Sequence, residues 1–166
     1  MDMVNTTPII RFLAEPGLPL VRRFVAYWED KRGDRPFPAR GDIDPLDFPY
    51  ALGSLLLVEV QPGGRYRYRV FGDRVAARHG FDLTGQVLND LPQSEYRDFV
   101  LGLYDRVADG GGPVFACGRR FVGGRLQDYE VALLPLGSGR AVEMILVGIA
   151  SLPDGAGAGT DGDAAG

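Results

Sequence analysis

Enzymatic and metal sites are built mostly from histidine, cysteine and clustered carboxylates, and this chain is sparing with the first two. Its one histidine, His79, would have to anchor any Ser-His-Asp triad, Cys-His pair or histidine-rich metal site. It stands four residues after Val75, on the same side of a short helix, so a core or pocket-lining role is the simpler reading. Cys117 is the only cysteine. No intrachain disulfide is open to it, and a small buried hydrophobe is its simplest role. Asp42, Asp44 and Asp47 suggest a hard-metal cluster, but the glycine and distal glutamate of a calcium loop are absent, and helix capping accounts for two of the three. Gly110-Gly111-Gly112 ends a helix before Pro113 and does not open one, so it offers no helix N-terminus to phosphate. No catalytic residue and no metal site are expected.

A more informative pattern is the alternation of Arg65, Arg67 and Arg69 with Tyr66, Tyr68 and Val70. In a strand it makes one face basic and the other aromatic and apolar. The basic face reads either as a stripe for an anionic partner or as a charged strand edge salted against Glu59 on a neighbouring strand; the acidic total favours the second. On the opposite face, Tyr66, Tyr68 and Val70 are expected to point beneath helices toward Val75, His79, Phe99 and Leu103. Met144 and Leu146 join them from the last strand if the polar Glu143 faces outward. Such a cavity is apolar with phenolic and imidazole hydrogen-bonding groups, the usual composition of a small-molecule site. A filled core suits the same residues, because side-chain identity fixes polarity and not void volume.

Those side chains must be positioned by strands and helices with their own signals. Leu55 to Val60 and Tyr66 to Phe71, joined through Pro62-Gly63-Gly64, read as an antiparallel hairpin. Ser94 is a good N-cap for a helix to Ala108 whose stripe is Tyr96, Phe99, Val100, Leu103, Tyr104 and Val107. Val114 to Val122, Gln127 to Leu136 and Ala141 to Ala150 read as three further strands separated by glycine turns. The last is apolar at nearly every residue and belongs in the centre of the sheet, covered on both faces. Near the start, Leu20, Val21, Phe24, Val25 and Trp28 recur at helical spacing between Pro19 and Gly33. Asp44-Pro45 with Asp47 reads as the start of another short helix. Residues 1–17 read as an N-terminal arm, 18–53 as the first helix and its connecting segment, 54–152 as the core domain, and 153–166, only Gly, Ala, Asp, Thr and Pro, as a disordered tail.

Composition sets the outer bounds. With 166 residues, 45% hydrophobic and 24% charged, the chain has the size and balance of one folded domain. A formal charge of -4 gives no general attraction to nucleic acid or to an anionic membrane. The first residues lack the basic and apolar segments of an export signal, and the lone cysteine indicates no oxidising compartment, so a cytoplasmic location is expected.

Three segments, YWEDKRGDRPFPARGDIDP (Tyr27 to Pro45), YRYRVFGDRVAARHGFDLTG (Tyr66 to Gly85) and YEVALLPL (Tyr129 to Leu136), together resemble a PAS domain, specifically a bacterial subfamily often found as a stand-alone domain behind an N-terminal helix. The resemblance spans about Leu18 to Leu152. It implies an α+β fold with a five-stranded antiparallel sheet in order 2-1-5-4-3, helices across one face, and an N-terminal flanking helix. It also implies a sensory or regulatory module that binds a small molecule or a protein partner and signals in trans, with a ligand-free dimerisation or interaction adaptor as the alternative. A small α+β enzyme using His79 with an aspartate is the third reading. Haem-binding relatives usually take their axial histidine from the long helix, which has none here, and the cysteine motif of flavin photosensors is not visible, so neither cofactor is expected. Because related domains often pair through flanking helices, the stripe Leu20, Val21, Phe24, Val25 and Trp28 is expected in or beside a homodimer interface.

Overall fold

The computed structural model describes residues 9–122 and 125–151. Five strands lie where alternation and turns put them: β2 (Leu55–Gln61), β3 (Arg65–Phe71), β4 (Val114–Val122), β5 (Arg125–Leu136) and β6 (Met144–Ser151). A sixth, β1 (Ile9–Leu13), pairs antiparallel with β4 from Ile9 opposite Arg119 to Leu13 opposite Phe115. The whole sheet is antiparallel, in the order β1-β4-β5-β6-β2-β3. The five anticipated strands thus keep their anticipated order, with the last in the interior. The arm is where the expectation needs correction: part of residues 1–17 is an edge strand, whose conformation is fixed by pairing with a segment far along the chain. The tail assigned to 153–166 lies outside the described residues.

Turn chemistry explains the hairpin. Gly63 and Gly64 have φ of 82° and 72°, a left-handed conformation that side-chain-bearing residues rarely adopt, and this lets β2 reverse tightly into β3. Within that hairpin the register slips: Leu57 pairs with Val70, but Val58 pairs with Tyr68. Arg69 is the extra residue of a β-bulge, so strict alternation ends there.

The described residues form three α-helices. In α1 (Pro19–Arg32), Pro19 opens the first turn and Lys31 and Arg32 face the negative end of the dipole. α2 (Asp73–His79) stops at Gly80, which is left-handed with φ 86°. α3 (Glu95–Gly110) is capped by Ser94, whose Oγ accepts from Arg97 N at 3.1 Å, and carries Glu95 and Asp98 in its first turn. Among the described residues no helix is long and apolar enough to cross a membrane.

α1 and α3 lie on opposite faces. Val147 and Gly148 are neighbours on β6 and so point to opposite sides. Val147 faces a cavity shared with α3, whereas a Cβ on Gly148 would lie 2.6 Å from the Phe24 ring of α1. The missing side chain is a notch, and Phe24 fills it. Trp28 anchors the next turn by donating from Nε1 to the Pro135 carbonyl at 2.9 Å. On the far side of α1, Phe48 packs edge-on against Phe24 and Tyr27, and the Tyr27 hydroxyl bonds Asp47 Oδ2 at 2.8 Å. Asp44 caps its short 3-10 turn by accepting from Leu46 N. α1 is therefore held between the sheet and the connecting segment. Val21, Phe24, Val25 and Trp28 are buried within the chain. Their assignment to a dimer interface is corrected accordingly: a second copy would meet these side chains only after α1 had left its own sheet. Leu20, half-buried at the edge of the stripe, borders the cavity instead.

Candidate functional site: a cavity between the sheet and α3

A cavity of about 350 Å³ opens between α3, α2 and the inner face of the sheet. Its floor comes from alternate residues of β5 and β6: Val131 and Leu133 on one strand, Val147 and Ile149 on the other. Phe99, Val100, Leu103 and Tyr104 form its roof, one stripe of α3 at helical spacing. Leu56, Tyr68 and Phe71 from the hairpin and Arg74 and Val75 from α2 close the side.

The cavity reaches α1 through a step in the sheet. β2 begins at Leu55 opposite Gly148, so Ile149 to Ser151 run on with no β2 residue paired beside them. Leu18, Pro19 and Leu20 border the cavity even though the body of α1 lies on the other face. Beside them is Glu130, 4% exposed, whose carboxylate accepts from the backbone N–H groups of both Gly17 and Leu18, the latter at 2.6 Å. A buried carboxylate needs such donors, and these two tie the entry of α1 to the middle of β5.

Polar side chains on the wall are Ser54, Tyr68, Arg74, Tyr96, Tyr104, Gln127, Tyr129 and Ser151. The Tyr68 and Tyr104 hydroxyls are 2.8 Å apart and share one hydrogen bond. Burial pushes both phenols well above their ordinary pKa, so both stay protonated at neutral pH. Tyr96, also on the wall, lies close enough to act on both phenols, so the three tyrosines form one polar group of the cavity. Tyr66 packs its ring 5.2 Å from Tyr104 and bonds Asp105 Oδ1 at 2.5 Å. Desolvation and then that carboxylate raise its phenol too. It seals the cavity behind Tyr104 without lining it.

Of the residues singled out from the sequence, Tyr68, Val75, Phe99 and Leu103 line the cavity together. Val70 does not: the bulge at Arg69 turns it to the outer face, 41% exposed, and Phe71 takes the inward place. Met144 and Leu146 also belong to the outer face, paired with Glu59 and Leu57, while Val147 and Ile149 face in. Glu143 was a poor guide to that parity because it precedes the strand, where an exposed carboxylate is tolerated on either side; Ser138 Oγ donates to it at 3.0 Å. His79 ends α2, and its side chain lies outside the described residues. The arginine stripe is salted as the acidic total suggested, with Arg67 and Arg69 at 4.0 and 3.9 Å from Glu59 Oε1, and Arg65 on Asp90 at 3.0 Å. Cys117 is a half-buried free thiol opposite Glu130.

Sequence reasoning missed Arg74, Phe71 and Val147. The glycine within MILVGIA was the available signal, since a glycine inside an apolar strand marks a close approach and would have set the parity of β6. Among the described residues no cluster of histidine, cysteine and carboxylates could hold a metal ion.

The chain was compared with known proteins at three levels. A family model described as PAS domain matches residues 18–151. No curated protein and no solved structure gives a significant match.

Proposed function

We propose that this chain, which belongs to the PAS domain family, binds a small molecule in the cavity beneath α3 and passes its occupancy through α1 to a partner in trans. PAS domains are in general sensory and regulatory modules, not catalysts. The observation that carries the finer reading is the shared wall: Leu18, Pro19 and Leu20 border the cavity and are continuous with α1. A ligand changes a conformational balance only by binding its two states unequally. One that presses on Leu18 meets that condition, since the Glu130 clamp can hold or release that residue together with Gly17. The partner is a signalling protein or a second copy meeting α1 or its cover. The void supports a ligand over the adaptor reading, which needs only a filled core.

Native mass spectrometry of the full chain purified from its own host tests the proposal. A bound small molecule is expected on the wild type and not on Val147→Phe, whose ring occupies the floor of the cavity. A bare chain mass for the wild type across gentle conditions would overturn the ligand reading.

A further inference from the structure

Resting on that reading, we infer that the ligand is an amphiphilic organic acid, an apolar body with one carboxylate, and that Arg74 is the residue that selects its charge. The cavity wall is apolar along Leu56, Phe99, Leu103, Leu133 and Val147. At the ~30 Å³ each water-sized group takes in a liquid, its volume of about 350 Å³ admits a body of roughly ten or more non-hydrogen atoms. Among the described residues Arg74 is the one charged side chain that lines it, and no carboxylate does. Asp73, the neighbour of Arg74 in sequence, is not part of the wall.

Some arginines of the chain are paired: Arg32, Arg35, Arg65, Arg97 and Arg119 each lie within 3.3 Å of an aspartate or glutamate oxygen. Others, Arg22, Arg23, Arg40, Arg74 and Arg106 among them, make no ion pair among the described residues; only Arg74 of these lies on the cavity wall. Its stem runs over Gly53 beside the Asp73 carboxylate, since a Cβ on Gly53 would lie 2.9 Å from Arg74 Cγ, 3.3 Å from Arg74 Cδ and 2.5 Å from Asp73 Oδ1. Arg74 is an exposed residue on the wall of a largely apolar cavity, where its guanidinium can receive a carboxylate through two parallel hydrogen bonds. One guanidinium matches one negative charge, which favours a carboxylate over a doubly charged phosphate. The phenol pair of Tyr68 and Tyr104 gives a second hydrogen-bonding point for an oxygen on the apolar body.

Isothermal titration calorimetry on the full chain at neutral pH, with decanoate, decan-1-ol and decyltrimethylammonium at submicellar concentration, tests this. Wild type is expected to bind decanoate roughly tenfold more tightly than the alcohol, the scale of one charge-assisted hydrogen-bonded contact at a partly exposed site. Arg74→Leu should bring the acid down to the alcohol and leave the alcohol unchanged, while Val147→Phe should abolish binding of both. Equal binding of acid and alcohol, a preference that survives Arg74→Leu, or a preference for the ammonium overturns the charge assignment while leaving the cavity as a ligand site. Failure of all three probes to bind the wild type overturns the assignment and counts against the ligand reading beneath it.

Discussion

On one face of the sheet α1 lays Phe24 onto Gly148 and ties Trp28 to Pro135, and the gap closes; on the other, α3 stands off far enough to leave about 350 Å³. Beneath α1 and α3 both faces are mainly apolar, so polarity does not separate the two helix seats. What separates them is fit. The outer face offers a glycine where the largest side chains arrive, and Phe48 backs the helix from behind. The inner face offers branched residues at Val131, Leu133, Val147 and Ile149, and the α3 stripe meets them across a space that Tyr66 and Tyr104 fill only at one end. On the reading proposed above, the closed face keeps the domain folded while the open face takes up a ligand.

The largest expected effect follows from removing the piece that closes the outer face. Phe24→Ala should lower the unfolding free energy by about 3–5 kcal/mol, the range for a buried aromatic, while Phe99→Ala on the cavity wall should cost far less because a void already adjoins it. Equal losses in urea unfolding of the two variants would erase the distinction between the faces.

Next in size is Gly148→Ala. The added Cβ meets the Phe24 ring at 2.6 Å, and overpacking of this kind costs about 1–3 kcal/mol. A double-mutant cycle with Phe24→Leu should recover part of the loss, and strict additivity would show that α1 does not rest on that glycine.

Smaller still, Tyr104→Phe should cost about 1 kcal/mol through the lost bond to Tyr68. It should also change the alkaline limb of stability. The folded phenols of Tyr66, Tyr68 and Tyr104 are raised above the unfolded value of about 10. Their neutral forms are therefore favoured in the folded state, so stability is intact below pH ~10 and falls as pH rises beyond it. Thermal melts between neutral pH and pH ~11 should show a shallower fall in Tyr68→Phe/Tyr104→Phe than in the wild type; parallel curves would refute the burial of these hydroxyls.

The smallest change is expected from Val147→Phe, within about 1 kcal/mol of wild type, because the ring enters existing space and does not force the packing apart. A loss of several kcal/mol would mean that the inner face is as full as the outer.

How far these faces could be read from the sequence depends on how local their causes are. The β2–β3 hairpin, the capped α3 and the interior position of β6 follow from turn residues, a helical period and an uninterrupted apolar run, each contained within a dozen or so neighbours. β1 was illegible for the opposite reason. Its pairing partner, β4, is remote in sequence, and Ile9–Leu13 is too short for a period of its own. Val70 failed because one bulged residue inverts every parity beyond it, and alternation carries no mark of a bulge. Met144 and Leu146 failed because a strand covered on both faces has no polar side from which to read its parity. In α1 the periodicity correctly demanded a cover for Phe24 and Trp28 but carried no information about which surface supplies it; Gly148 and Phe48 decide that.

The Glu130 clamp has a consequence for the edge strand that precedes it. By fixing Gly17 and Leu18 to β5, the carboxylate leaves only residues 14–16 between a fixed anchor and the end of β1. A five-residue strand offered to a sheet edge as a free peptide would pair weakly. On so short a tether it is present at its own docking edge at an effective concentration on the order of millimolar or higher, so pairing with β4 becomes an intramolecular event. The same glutamate that orders the entry of α1 thereby also sets how often the outermost strand is found in place.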